Sequence, residues 1–118
     1  MFEPIWRKDD FVIRRGEPSS HALVSEGSSK EVVVHFCGTC GTNLYLSFER
    51  FPDVVGVYGG TLDHPASAVA GLKPECIFLD EAIEGTVIPA GANSWRRHRL
   101  TPDGMRIAPA YLTEALVI

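Results

Sequence analysis

The sequence Cys-Gly-Thr-Cys-Gly at residues 37–41 lies between two segments with the pattern of β-strands, and this arrangement constrains the fold more than any other feature. The segment before it, Glu31–Phe36, is rich in β-branched residues, and the segment after it, Asn43–Phe48, alternates apolar and polar side chains. Such patterns are typical of paired strands. The sequence therefore predicts a β-hairpin with the two cysteines at its tip.

Other short segments with strand character follow at intervals of roughly ten residues. They are residues 11–13, 21–24, 53–58 and 75–79. This spacing favours an all-β fold over alternating strands and helices. The stretch 83–109 is interrupted by glycines and prolines, which predicts loops and short pieces, and 110–118 fits either a helix or a strand.

The length of 118 residues suits one compact domain over 1–118. The net charge of −4, from 15 acidic and 11 basic residues, argues against a nucleic-acid partner, because nucleic-acid-binding domains usually carry a basic excess. The one basic cluster, at 96–99, is interpreted as a solvated loop or strand end. No apolar run approaches a membrane span of about 20 residues and no signal peptide is visible, so we expect a cytoplasmic protein with no membrane partner.

Three interpretations of Cys37 and Cys40 follow from their spacing. Two thiolates separated by two small residues can bind the same Zn²⁺, and in a reducing compartment such a pair is more often a metal site or a redox dithiol than a disulfide. A redox dithiol of the thioredoxin type needs a helix that begins beside the first cysteine, whereas Asn43–Phe48 predicts a strand. The third interpretation is a pair of small thiols packed in the hairpin. Zinc is favoured, with Cys37 and Cys40 as its ligands.

A closed zinc site needs four ligands, and the chain holds only three cysteines. Cys76 is the third, although a lone cysteine in an apolar strand is more often a core residue. His35 would share a face with Cys37 on a regular strand, which makes it a geometrically allowed ligand. Alternatively, two copies of the chain could combine their cysteine pairs in one four-thiolate site on the axis of a homodimer.

Two motifs occur in a fixed order along the chain. The first is His-Phe-Cys-Gly-Thr-Cys-Gly-Thr-Asn-Leu at 35–44, and the second is Gly-Thr-Leu-Asp-His-Pro at 60–65. Together they resemble the pattern Phe-Cys-x-x-Cys-Gly-Thr-x-Leu, followed by Gly-x-Leu-Asp-x-Pro, of the glutathione-dependent formaldehyde-activating enzyme family, which includes centromere protein V. The resemblance covers about residues 5 to 80.

This resemblance implies a β-tent of packed antiparallel sheets, as in methionine-R-sulfoxide reductases, and a carbon–sulfur lyase activity that condenses formaldehyde with glutathione. In full members it implies a structural zinc, held by an N-terminal Cys-x-Cys and the later Cys-x-x-Cys. It also implies a catalytic zinc, held by a Cys-x-Cys-x-x-Cys run. By position, Cys37 and Cys40 match the later pair. The other cysteines would lie upstream of Met1, so the chain is expected to be truncated at its N-terminus relative to the family.

The function implied by the resemblance is that of a zinc-binding, carbon–sulfur lyase-like protein with a small thiol such as glutathione as its partner. Because the catalytic cysteine run has no counterpart in these 118 residues, the sequence argues against lyase activity of this form and identifies no catalytic residue. The alternatives are a non-catalytic zinc-binding or interaction module on the same fold, and a thiol redox protein.

Overall fold

The computed structural model describes all 118 residues and contains no α-helix. The chain divides into two compact units, Met1–Ala70 and Gly71–Ile118, which are described separately below. Short β-strands and single turns of 3₁₀ helix make up the regular structure. The prediction of an all-β fold is confirmed, whereas the assignment of 1–118 to one domain stays a prediction. No helical segment has the length and apolar character that crossing a membrane requires.

The first unit is built on one five-stranded antiparallel sheet. Its strands are β1 (Ile5–Arg7), β2 (Ser19–Val24), β3 (Glu31–Phe36), β4 (Asn43–Phe48) and β5 (Val54–Val57). They are ordered β1-β5-β4-β3-β2, so the β3–β4 hairpin lies inside the sheet and β1 and β2 form its two edges. The 3₁₀ turns of this unit are Lys8–Asp10, Gly59–Thr61 and Ser67–Val69.

The inner strands of this sheet carry the buried apolar side chains of the unit. Leu46 on β4 lies opposite Val34 on β3 and Gly56 on β5, and it is only 7% exposed. Val55 and Val57 flank Gly56 and are also buried. Because successive side chains of a strand point to opposite faces, these two valines lie on the face opposite Leu46. The middle of the sheet is therefore buried on both faces.

A glutamate lies against β5 at Gly56. A Cβ atom at Gly56 would collide with the Glu3 carboxylate, so only glycine allows the Glu3 side chain to lie across the strand at this point. Burial in this position raises the pKa of the Glu3 carboxyl above its usual range. The close approach fixes the residues that lead into β1 against the face of the sheet.

The second unit contains only two-residue strands. They are β6 (Glu75–Cys76), β7 (Val87–Ile88), β8 (Asn93–Ser94), β9 (Ala110–Tyr111) and β10 (Leu116–Val117), with a 3₁₀ turn at Leu79–Glu81. β8 pairs with β6 in parallel and with β9 in antiparallel orientation, and β7 pairs with β10 in antiparallel orientation. The packed antiparallel sheets expected from the sequence are therefore present, and the two-residue β6–β8 pair adds one parallel contact.

Trp95 is the largest buried side chain of the second unit. It follows β8 directly, is 8% exposed, and donates a hydrogen bond from its indole N–H to the Ile107 carbonyl at 2.8 Å. Ile88 and Ala92 are buried in the same unit. A buried indole N–H without a hydrogen-bond partner would be costly, so the bond to Ile107 stabilises the unit. It also connects the loop before β9 to the end of β8.

The basic cluster at 96–99 lies in a loop after β8, as expected from the sequence. Arg96 forms an ion pair with Asp80 at 2.9 Å, and Arg99 forms one with Glu75 at 2.6 Å. All four side chains are at least one-third exposed, so each pair contributes little to stability. The carboxylates next to the arginines compensate their charge within the unit.

The structure confirms the strands next to the cysteine pair and corrects several others. The predicted strand at 53–58 is present as Val54–Val57, and 21–24 lies within Ser19–Val24. The prediction of a strand at 11–13 is wrong, because that segment has no partner strand and Phe11 instead packs on the Tyr45 ring at 4.7 Å.

The prediction of a strand over 75–79 holds only for its first two residues. Phe78 adopts φ +61°, a left-handed conformation that ends the strand and leads into the 3₁₀ turn at Leu79–Glu81. The strand Ile5–Arg7 was not predicted, because three residues are too few to show an alternating pattern.

Candidate metal centre

Cys37 and Cys40 lie in the six-residue loop that connects β3 to β4, at the tip of the predicted hairpin. The Cys37 N–H donates a hydrogen bond to the Thr42 carbonyl at 2.9 Å. The Gly41 N–H donates one to the Cys37 carbonyl at 2.8 Å. These two bonds close the loop on itself, so both cysteines are positioned by a turn with its own hydrogen bonds.

Gly41 supplies the backbone conformation that closes this turn. Its φ is +76°, in the left-handed region that L-residues with a Cβ atom avoid. A Cβ atom at this position would meet no other atom within 4 Å. The requirement for glycine is therefore conformational rather than steric.

Hydrogen bonds in the loop favour the charged form of Cys37. The backbone N–H groups of Cys40 and Thr39, together with the Cys40 side chain, hold the pKa of the Cys37 thiol below its usual range. The Cys40 sulfur lies 3.1 Å from the Thr42 hydroxyl oxygen, and both cysteines are free thiols. The thiolate is the form that binds a metal, so the lowered pKa favours the form of Cys37 that a metal site would require.

Two groups that interact with the cysteine sulfurs were not predicted from the sequence. The Thr39 N–H and the Thr42 hydroxyl both act on the cysteine sulfurs. A backbone N–H leaves no signal in a sequence. Thr42 does leave one, because it immediately follows Gly41 within the motif.

His35 does not join the cysteine pair. Its Nε2 atom lies 2.9 Å from the Ser47 hydroxyl oxygen, and its ring stacks on the Tyr45 ring with centroids 4.1 Å apart and planes 8° from parallel. Burial lowers the pKa of His35 below its usual value, which favours the neutral ring. The β3–β4 register shifts between His35 and Phe36, so the strict alternation that would align His35 with Cys37 is broken at this point.

No group of three or more His, Cys, Asp or Glu side chains in the structure is arranged to hold a metal ion. Cys76 lies on β6 in the second unit and is half-buried. His21 is exposed on β2. The structure therefore brings together two of the sequence-predicted donors, Cys37 and Cys40, and adds no third.

The environment of the pair differs from that of a thioredoxin-type dithiol. β4 begins at Asn43, three residues after Cys40, and no helix begins in the loop. The prediction that a strand follows the pair is confirmed. The stabilisation of the Cys37 thiolate comes from N–H groups of the turn and not from a helix N-terminus.

The fold and the loop define an all-β protein with a Cys-x-x-Cys turn between two central strands. Residues 1–79 match the family model of the glutathione-dependent formaldehyde-activating enzyme, and the chain belongs to this family. The family has the β-tent fold and typically binds zinc. No curated protein and no solved structure matches the chain significantly.

The donor set of the loop fits part of a zinc site. Two thiols at the tip of a turn, one of them with N–H groups directed at its sulfur, suit the soft thiolate coordination that zinc prefers. A closed structural site needs two more ligands, which the described residues do not add to the pair. Cys37 and Cys40 would therefore provide two of the four ligands of a tetrahedral site.

Proposed function

We propose that this protein is a zinc-binding member of its family, with Cys37 and Cys40 as two of the metal ligands, acting in the reducing cytoplasm where thiols stay free. The observation that carries this proposal is the turn itself, in which the hydrogen bonds Cys37 N–H to Thr42 carbonyl and Gly41 N–H to Cys37 carbonyl place both thiols at the hairpin tip. The N–H groups of Cys40 and Thr39 also lower the pKa of the Cys37 thiol. A bound zinc ion would supply a rigid link from the hairpin tip to the groups that provide the remaining ligands. A second copy of the chain is a chemically suitable source of these groups.

Metal analysis of the purified chain tests this proposal. We expect zinc in the wild-type protein, with Cys37→Ser and Cys40→Ser each losing most of it. Cys76→Ser is the matched control and should keep its zinc, because Cys76 lies on β6 outside the motif. One zinc per chain would indicate a site within each copy, whereas one zinc per two chains would indicate a shared four-thiolate site.

Cobalt substitution separates ligand loss from unfolding. Cobalt bound by thiolates gives a sulfur-to-metal charge-transfer band, whose intensity per bound cobalt ion should fall by about half when one of two thiolates is removed. A metal-free wild-type protein, or full metal content in Cys37→Ser, would contradict the proposal.

A carbon–sulfur lyase-like reaction on a small thiol such as glutathione is the enzymatic function that family membership supports. A catalytic zinc typically uses three protein ligands and keeps one position open, and the described residues offer a pair. We therefore favour a zinc-binding module of the lyase type over a complete lyase for residues 1–118. The redox interpretation remains the second alternative and rests on the lowered pKa of the Cys37 thiol.

The rate at which glutathione and formaldehyde combine distinguishes these functions. We expect the chain to leave the spontaneous rate unchanged when S-hydroxymethylglutathione is followed by NMR. Acceleration that disappears in Cys37→Ser would instead establish the lyase. A Cys37–Cys40 disulfide that forms reversibly in a glutathione buffer would favour the redox function.

A further inference from the structure

The β2 strand leaves one edge of the five-stranded sheet open. All six residues of Ser19–Val24 are exposed, and β2 pairs on one side only, with β3. The β2–β3 pairing is regular over its whole length, with no bulge. The other side of the strand is therefore a continuous row of backbone groups without a partner strand.

The register identifies which backbone groups face outward. In an antiparallel pair, alternate residues direct both their N–H and their C=O at the partner. The Ser25 N–H donates to the Lys30 carbonyl at 2.9 Å, and this pair continues the β2–β3 register. Counting back in steps of two, the residues bonded to β3 are Ser19, His21 and Leu23. The residues with outward N–H and C=O groups are Ser20, Ala22 and Val24.

The two edges of this sheet are protected differently. β1 is three residues long and contains Arg7, so its length and its charge disfavour pairing with another strand. β2 is twice as long and contains neither a charged residue nor a proline. A short length and a charge within the strand, which protect β1, are both missing from β2, whereas a proline directly precedes each strand, Pro4 before β1 and Pro18 before β2.

We propose that β2 pairs with β2 of a second copy of this chain, in antiparallel orientation, with the twofold axis at Ala22. This register aligns Ala22 with the partner's Ala22, and Ser20 with the partner's Val24. The outward groups then form three residue pairs with two hydrogen bonds each, six in all. A shift of two residues in either direction would leave only two pairs and four bonds. The alternation of outward-facing and inward-facing backbone groups along β2 therefore favours the register centred on Ala22.

The composition of β2 favours a second copy over another kind of chain. When a strand pairs with a copy of itself, each charged side chain lies near the same charge on the partner and is repelled by it. β2 contains no Asp, Glu, Lys or Arg, so this repulsion is absent. Alanine at the twofold axis allows the two backbones to approach closely. Leu23 and Val24, which are 43% and 65% exposed, would each gain a neighbour from the partner strand.

This dimer is distinct from the one that would share a zinc ion. Ser19 lies opposite Phe36, the last residue before the cysteine loop. In the proposed register, the partner's Ser19 lies about six residues away along the strand, roughly 20 Å. The two cysteine loops therefore lie at opposite ends of the paired strands. Edge pairing and zinc binding can each fail without the other.

Amide hydrogen exchange gives the most specific test. At high protein concentration we expect slow exchange at Ser20, Ala22 and Val24, and at low concentration fast exchange at these three amides. His21 and Leu23 serve as internal controls, because their amides face β3 in the monomer and the dimer alike. Exchange at the three outward amides that stays fast at every concentration would overturn the proposal.

Substitutions at the axis test the same pairing by sedimentation. Ala22→Pro removes an outward N–H and leaves the bonds to β3 intact, so it should weaken the dimer by at least about tenfold. Ala22→Lys should weaken it as well, by placing two like charges together. Ala22→Thr keeps the N–H and Ala66→Lys adds the same charge at an exposed residue outside the sheet, so both should remain dimeric.

Circular dichroism of each variant establishes whether it is folded. If Ala22→Pro is unfolded, Ala22→Lys takes its place as the variant that tests the pairing. Isotope-filtered NMR on a mixture of labelled and unlabelled chains then tests the register. A contact between the Hα atoms of His21 and the partner's Leu23 is expected, because these residues form a close, non-hydrogen-bonded pair. A monomeric wild-type protein, a dimer unaffected by both Ala22→Pro and Ala22→Lys, or a different NMR contact would refute the proposal.

Discussion

Glu3 gives the first unit a pH dependence with a defined sign. Its pKa is raised from about 4.5 by burial, so between that value and the folded-state pKa the folded protein binds more protons than the unfolded chain. Stability contributed by Glu3 is therefore present at lower pH and is lost as the pH rises through this window. We expect Glu3→Gln, which cannot ionise, to lack this loss.

Denaturant unfolding at a series of pH values from 4 to 7 measures this effect. Glu49 affects stability in a different pH range from Glu3. Hydrogen bonds from the Glu31 N–H and from Lys30 lower the pKa of the Glu49 carboxyl. Its contribution is lost as the pH falls below about 4.5. A wild-type protein and a Glu3→Gln variant with parallel stability curves above this pH would show that Glu3 is solvated.

Gly41 is the residue on which the cysteine turn depends conformationally. Gly41→Ala should destabilise the first unit by about 1–2 kcal/mol, because alanine is strained at a φ of +76°. We also expect weaker zinc binding, since the Gly41 N–H closes the loop onto the Cys37 carbonyl. Gly60→Ala is the control, as Gly60 has an ordinary φ and open space around it. Equal unfolding midpoints for the two variants would contradict this role.

At the scale of the strands, the sheet centre and its open edge should respond differently to the same substitution. Leu46→Ala on β4 removes a side chain that is 7% exposed and should cost about 2–5 kcal/mol. Leu23→Ala on β2 removes one that is 43% exposed and should cost less than about 1 kcal/mol. Urea unfolding at low protein concentration measures both. If Leu23→Ala lowered the free energy of unfolding as much as Leu46→Ala does, β2 would be covered in solution.

The elements that could be predicted from sequence are those with enough residues to show a period. β3 and β4 have six residues each, and their patterns located both the strands and the turn between them. β1 and the strands of the second unit have two or three residues, for which no period exists. The segment 11–13 shows the converse, since strand-forming residues remain unpaired without a neighbouring strand.

The candidate site was predictable to the extent that it is local. The spacing of Cys37 and Cys40 and the glycine after them define the turn from the sequence alone. The position of His35 depends on the register shift beside Phe36 and on its contacts with β4, which arise only when the strands pair. Alternation along one strand could not reveal that shift.

At the scale of the whole chain, the boundary between the two units should be the first site of proteolysis. Ala70, Gly71 and Leu72 are exposed, and Leu72 is 69% exposed. Brief digestion with elastase or chymotrypsin should yield a first cut at 70–72, identified by mass spectrometry. A first cut inside the β3–β4 hairpin would contradict the division into Met1–Ala70 and Gly71–Ile118.

The two tryptophans are distributed one to each unit, and this makes them separate optical reporters. Trp6 on β1 is 41% exposed, so its fluorescence should be quenched by iodide and emit at long wavelength. Trp95 is 8% exposed and should emit further to the blue, beyond the reach of the quencher. Variants that keep only one indole would therefore show by spectroscopy alone whether the halves of this polypeptide melt together or in turn.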